Sequence, residues 1–172
     1  MGGHQLNVLR RTDRAMTDPE IDVMLRTAQV GRLGLCQDNQ PYVVPLNFAY
    51  EDARIYAHCA ESGMKIDYLR DNPRVCFEVD EHIKTAAAAA PCDYETVYRS
   101  VIAFGRARIL TALEEKTAAL KLIVSKYAGR EQAGNVTSKM VDNYKSPFGG
   151  KTVLLEITID RMTGKHYEPQ QH

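Results

Sequence analysis

The segment His58-Cys59-Ala60-Glu61-Ser62-Gly63-Met64-Lys65 gathers groups that together suit an anion. It falls where a strand pattern ends and a helix pattern begins. The first turn of a helix leaves backbone N–H groups without intrahelical acceptors and carries the positive end of the helix dipole. Ser62 adds a hydroxyl, and Lys65 adds a cation within one turn. Gly63 lacks the Cβ that would hold a ligand off the backbone. Such a cradle suits a phosphate. The same pattern also fits an ordinary capped helix with a solvated lysine.

Two further segments carry polar chemistry. In Tyr42 to Tyr50, Pro45 interrupts an alternating strand pattern and cannot donate to a ladder, which implies a sheet edge or a bulge. An edge leaves N–H and C=O groups free for a flat polar heterocycle, and Asn47 adds an amide; a protected edge strand accounts for the same pattern. At the start of a later strand, Arg99 and Ser100 are placed to reach a phosphate, while Arg106 and Arg108 alternate with Ala107 as a solvated face would. No nucleophile triad can be assembled from Ser62, Ser100 and the histidines. His4, His82, His166 and His172 read as surface residues. The four cysteines, Cys36, Cys59, Cys76 and Cys92, form no C-x-x-C pair and read as reduced structural thiols. His58 and Cys59 are neighbours on a strand and point to opposite faces, so no metal site is expected.

The elements that must position these residues follow from periodicity. Residues 1–15 read as a polar N-terminal arm. Thr17 and Glu20 form a capping box that opens a helix to about residue 29, with Pro19 in its first turn. Strands are expected over 30–36, 41–50, 54–58, 74–80, 98–110 and 151–159, with Gly105 marking a bend. Short helices are expected over 61–70 and, weakly, 137–144. A longer one follows a second capping box at Thr111 and Glu114, with Leu113, Thr117, Leu120, Val124 and Tyr127 as its stripe. Residues 84–93 read as an alanine-rich loop and 146–150 as a turn. Six strands with little helix between them suggest an antiparallel sheet closed into a small barrel. Neither G-x-G-x-x-G nor G-x-x-x-x-G-K-[ST] occurs, which disfavours a Rossmann site and a P-loop.

Composition bounds the partners. The chain has 172 residues, with 22 Lys+Arg against 22 Asp+Glu, a net charge that argues against a nucleic-acid footprint. At 44% hydrophobic residues it can fill one core. The longest apolar run, 86–91, is far short of the ~20 residues that cross a bilayer. Arg10, Arg11, Asp13 and Arg14 break any signal-peptide core, so a cytoplasmic address and no membrane partner are expected.

Several motifs together resemble the FMN-binding split-barrel superfamily, which includes pyridoxamine 5′-phosphate oxidase. They are Val30-Gly31-Arg32-Leu33-Gly34-Leu35, Gln40-Pro41-Tyr42-Val43-Val44-Pro45-Leu46-Asn47-Phe48, and Ile55-Tyr56-Ala57-His58-Cys59-Ala60 with Gly63 and Lys65. Within it the closer likeness is to the Nim-type branch, the 5-nitroimidazole resistance proteins. Arg10-Arg11 through Met16-Thr17, the run from Tyr98 to Ala107, and Met162-Thr163-Gly164-Lys165 carry that likeness. The resemblance spans roughly residues 10 to 166. It implies a mainly β fold: a six-stranded antiparallel split β-barrel with flanking helices, one domain over 16–167 with a C-terminal tail at 168–172. It also implies a homodimer with FMN at the subunit interface and a small-molecule substrate. The flavin ring would lie along Val44, Pro45, Leu46 and Asn47. Lys65, Ser62, Arg99 and Ser100 would hold the phosphate. His58 would flank the ring or the substrate space and serve as the catalytic proton donor, as its near-neutral ordinary pKa allows. The implied activity is flavin-dependent reduction of a nitroimidazole or similar oxidant. The alternatives are a haem- or flavin-binding protein without turnover and pyridoxamine 5′-phosphate oxidation. The C-terminal Lys165-His166-Tyr167-Glu168-Pro169 does not resemble the motif with which the oxidase proper grips its substrate.

Overall fold

The first helix forms as its cap requires. A computed structural model describes residues 9–88, 90–144 and 150–169; the start of the N-terminal arm, the 146–149 turn and the end of the C-terminal tail lie outside them. Helix α1 (Asp18–Thr27) opens with the Glu20 carboxylate accepting from Thr17 N–H at 2.7 Å and from Thr17 Oγ1 at 2.8 Å. Its apolar stripe, Ile21, Met24 and Leu25, is buried.

Strands β1 (Gly31–Gln37) and β2 (Gln40–Leu46) form a hairpin. Asp38 and Asn39 make its two-residue turn, both at positive φ as a primed turn requires. Strands β3 (Phe48–Glu51) and β4 (Arg54–Ala60) form a second hairpin through Asp52 and Ala53, also at positive φ. Helix α2 (Met64–Asp71) leads to β5 (Arg74–Ala86) and β6 (Glu95–Ile109). Helices α3 (Leu113–Ala128), α4 (Arg130–Gly134) and α5 (Ser138–Asn143) precede β7 (Thr152–Tyr167).

All pairings are antiparallel, in the order β2-β1-β5-β6-β7-β4-β3. Among the described residues the expected six strands are therefore seven, and the sheet they form does not close by pairing. The expected strand over 41–50 is two strands on opposite edges of the sheet. Pro45 gives β2 the edge character the sequence implied. The chain then leaves that edge at exposed Asn47 and starts the other edge at Phe48. Beyond the junction the alternation fails, because Phe48, Ala49 and Tyr50 are all buried.

Other boundaries move for local reasons. Strand β5 runs through Ala86 into the expected 84–93 loop, and β7 continues past 159 to Tyr167, each paired along its extension with β6. Helix α2 starts at Met64, because Gly63 at φ 113° is its cap residue. The second capping box does not form: Ala112 caps α3 without a side-chain bond, and the buried stripe is Thr117, Ala119 and Ile123. The bend expected at Gly105 is a register shift between β6 and β7, where a Cβ would stand 2.0 Å from Thr158 O.

Two apolar clusters lie on the two faces of the sheet. The inner one includes Leu33, Phe48, Ile55, Phe77, Val79 and Leu155. The Phe48 and Phe77 rings meet edge-on at 4.9 Å, an arrangement worth roughly 0.5–1.5 kcal/mol beyond burial. The outer cluster packs α3, through Ala119 and Ile123, onto Ala49 and Leu154. Beside it, Arg108 Nε donates to buried Glu156 at 2.9 Å and its Nη2 donates to Glu115 at 2.7 Å, tying the first turn of α3 to the sheet. All four cysteines are free thiols. Among the described residues no helix is long and apolar enough to cross a membrane, and no group of three or more His, Cys, Asp or Glu is placed to hold a metal.

Candidate functional site

The alternation of β4 sets the site. Ile55, Ala57 and Cys59 turn into the core, while Arg54, His58 and Ala60 lie exposed on the outer face. His58 pairs with Leu154 of β7, and Ala60 pairs with Thr152. The chain then turns through Glu61 to Gly63. Glu61 N–H donates to Lys151 C=O at 3.2 Å and Glu61 Oε1 accepts from Lys151 N–H at 3.1 Å, which pins this turn to the start of β7. Gly63 C=O accepts from Ile66 N–H at 2.8 Å and Asp67 N–H at 3.2 Å. The amides ahead of Ile66 thus form the open N-terminal turn of α2.

A cleft of about 790 Å³ lies over this junction. His58, Cys59, Ala60 and Lys65 form one wall, Leu120 of α3 and Val141 of α5 the opposite one, and Thr152 and Leu154 of β7 also line it. Lys151 contributes a second lysine. Among the described residues no Asp or Glu lines it, while Lys65 and Lys151 do, and the Glu61 carboxylate lies at its edge on the Lys151 N–H. Although His58 lies on the exposed face, the protein around the cleft partly desolvates its ring, and this, followed by the nearby Lys65 ammonium, lowers its pKa from the ordinary 6.5. Burial pushes the Cys59 thiol up, against the opposing effect of Lys65.

The structure brings some of the expected site residues together and separates others. His58 and Lys65 share the cleft, and exposed Ser62 precedes α2 beside it. The β3–β4 register pairs Phe48 with Ala57, which carries Asn47 to the level of His58. Val44, Pro45 and Leu46 lead to Asn47 along the β2 edge, with Pro45 exposed and Leu46 buried. Arg99 and Ser100 stand apart. Arg99 pairs with Glu81 and His166 near the end of β7, whereas His58 pairs near its start. Arg99 lines a separate hollow of about 250 Å³ with Glu20, Met24 and His166. Ser100 pairs with Asp80 and Lys165. Leu120, expected only as part of a helical stripe, and Val141, Tyr144 and Lys151, for which the sequence offers no site signal, also line the cleft. Only a weak helical pattern over 137–144 hinted at this wall.

The profile of the family described as pyridoxamine 5′-phosphate oxidase matches residues 17–166. The chain belongs to the pyridoxamine 5′-phosphate oxidase family. Among solved relatives in this fold, an FAD-binding protein from Mesorhizobium loti is 31% identical, with 90% of this chain and 98% of that one covered at a TM-score of 0.62. A candidate 5-nitroimidazole antibiotic resistance protein from Bacteroides thetaiotaomicron is 25% identical, covering 88% and 85% of the two chains at a TM-score of 0.69. The flavocytochrome Anf3 from Azotobacter vinelandii shares the fold at 19% identity and a TM-score of 0.79, over 97% of this chain and 75% of that one. A curated relative, the uncharacterised protein RA0666 of Rhizobium meliloti (strain 1021), is 30% identical over 101 residues, 59% of this chain; the match spans 60% of that relative's length. The structural relatives of this oxidase-family chain thus include flavin-binding proteins.

Proposed function

We propose that the chain binds FMN and acts as a flavin-dependent oxidoreductase, reducing a nitroimidazole or a similar small oxidised compound. The observation that carries this reading is the cleft at the β4–α2 junction, which brings Lys65, Lys151 and His58 together over the open N-terminal turn of α2. The residues present fit the cofactor. Lys65, Ser62 and the open amides before α2 suit its phosphate. The β2 edge at Val44, Pro45, Leu46 and Asn47 offers a flat surface with backbone polar groups to the ring. Arg99 and Ser100, at the other end of β7, reach a flavin of a second copy, so the working form is a homodimer with the cofactor between subunits. When bound, flavin supplies the electron transfer, and the chain supplies position and electrostatics. The Lys65 ammonium favours negative charge in the cleft. The His58 ring, in the same cleft, relays a proton from water to the reduced substrate, accepting at one ring nitrogen as it donates from the other.

The test is the visible spectrum of the protein as purified, followed by identification of the molecule that heat releases and an assay for nitro-compound reduction. A two-band flavin spectrum, released FMN and turnover of the nitro compound support the reading. A Soret band points instead to haem handling, and formation of pyridoxal phosphate to amine oxidation. A colourless protein that takes up no added flavin overturns it.

A further inference from the structure

The sheet is open between its two edge strands, and the chain crosses that opening at Asn47. A seam of this kind lacks the ladder that would fix it. Here a side chain from α3 supplies the missing bonds. The Tyr127 hydroxyl accepts from Phe48 N–H at 2.9 Å and donates to Gln29 C=O at 2.6 Å, with Phe48 C=O 3.1 Å away as a second acceptor. One hydroxyl therefore joins the first residue of β3 to the residues just ahead of β1. The same helical turn also grips the Phe48 side chain. Lys126 Nζ sits 3.7 Å from the centre of its ring and 3.4 Å from Leu25 C=O of α1. Phe48 is fully buried, so this anchor is rigid at the point where Asn47 leaves it.

We infer that Tyr127 is a positioning residue: its hydroxyl fixes the β2–β3 seam and, through it, the orientation of Leu46 and Asn47 toward the bound flavin ring. This rests on the proposed function for its ligand, and on the seam geometry for its mechanism. Tyr127 itself does not line the cleft, and Tyr127→Phe keeps the ring that packs beside Leu154, so it removes only the hydroxyl's bonds to the backbone.

The experiment compares wild type, Tyr127→Phe and Ile123→Val, the last loosening α3 packing without touching the seam. FMN affinity is measured by quenching of flavin fluorescence, and amide hydrogen exchange is followed in the peptide spanning residues 42–51. The expected result is faster exchange at Phe48 and FMN binding about tenfold weaker in Tyr127→Phe, as loss of a partner for a part-buried backbone N–H implies. Ile123→Val should keep both at wild-type values. Unchanged affinity in Tyr127→Phe, or an equal loss in Ile123→Val, overturns the positioning role while the flavin reading stands. A wild type that binds no flavin overturns both, and the exchange data then report on the seam alone.

Discussion

Lys126 offers a quantitative test of the packing around the seam. Its ammonium is half-buried between α1, α3 and Phe48, and burial pulls its pKa from the ordinary 10.5 to about 8. The charged form is disfavoured in the folded chain, so folding releases a proton between those two values. The cost is full below about pH 8 and is lifted as pH rises toward 10.5. A shift of this size corresponds to about 3 kcal/mol at most, and roughly half of that after allowance for water reaching the ammonium. The attraction to the Phe48 ring opposes it by about 0.5–2 kcal/mol. Methionine keeps the length and apolar stem of the side chain without the charge. Lys126→Met should therefore be more stable than wild type near pH 7, by up to about 1 kcal/mol. That advantage should shrink steadily above about pH 8 and vanish above about pH 10.5, as the lysine loses its proton in both the folded and the unfolded chain. Urea unfolding followed by circular dichroism across this range measures the difference. Parallel pH profiles for the two proteins would refute the argument, because they would mean the ammonium carries no cost of burial.

Other outcomes follow from single contacts. Gly105→Ala places a Cβ 2.0 Å from Thr158 O, a backbone atom that cannot swing aside, and should lower stability by about 2 kcal/mol or more in thermal melts. Glu156→Ala removes the buried one of the two carboxylates on Arg108, leaving Glu115, and should cost about 1–3 kcal/mol, read in the same melts. The His58 ring, observed by NMR, should titrate below 6.5, and Lys65→Ala should move that titration upward, since the lysine is one of its two depressing influences.

How much of this was legible in the sequence depended on the range of the interactions involved. The Thr17–Glu20 box, the Asp38-Asn39 turn and the strand of β4 are local, and the chain spells them out within a few residues. The β4–α2 cradle was equally readable, because a strand end, Gly63, Ser62 and Lys65 are contiguous. The division of 41–50 was hidden. Its alternation runs unbroken through Asn47, and only the pairing of Phe48 with Ala57 and of Leu46 with Gly31 shows that the two halves belong to opposite edges. The Thr111–Glu114 pattern misled, because α3 is oriented by Ala119 and Ile123 packing on the sheet rather than by its cap. Tyr127 and Lys126 read as an ordinary helical stripe and its neighbour. Their bonds to Phe48, Gln29 and Leu25 span about half of the chain, and no local pattern encodes them. Arg99 and Ser100 looked like companions of Lys65 by residue type, yet register places them at the other end of β7.

The central claim is that the cradle at Lys65 recognises a flavin by its phosphate. The most direct measurement compares the affinities of FMN and riboflavin, by fluorescence quenching, for wild type and Lys65→Ala. The account predicts that wild type prefers FMN by more than about tenfold, as a charge-assisted contact to phosphate implies, and that the preference collapses in Lys65→Ala while riboflavin affinity is unchanged. Equal binding of FMN and riboflavin by wild type, or a preference that survives loss of Lys65, would contradict it.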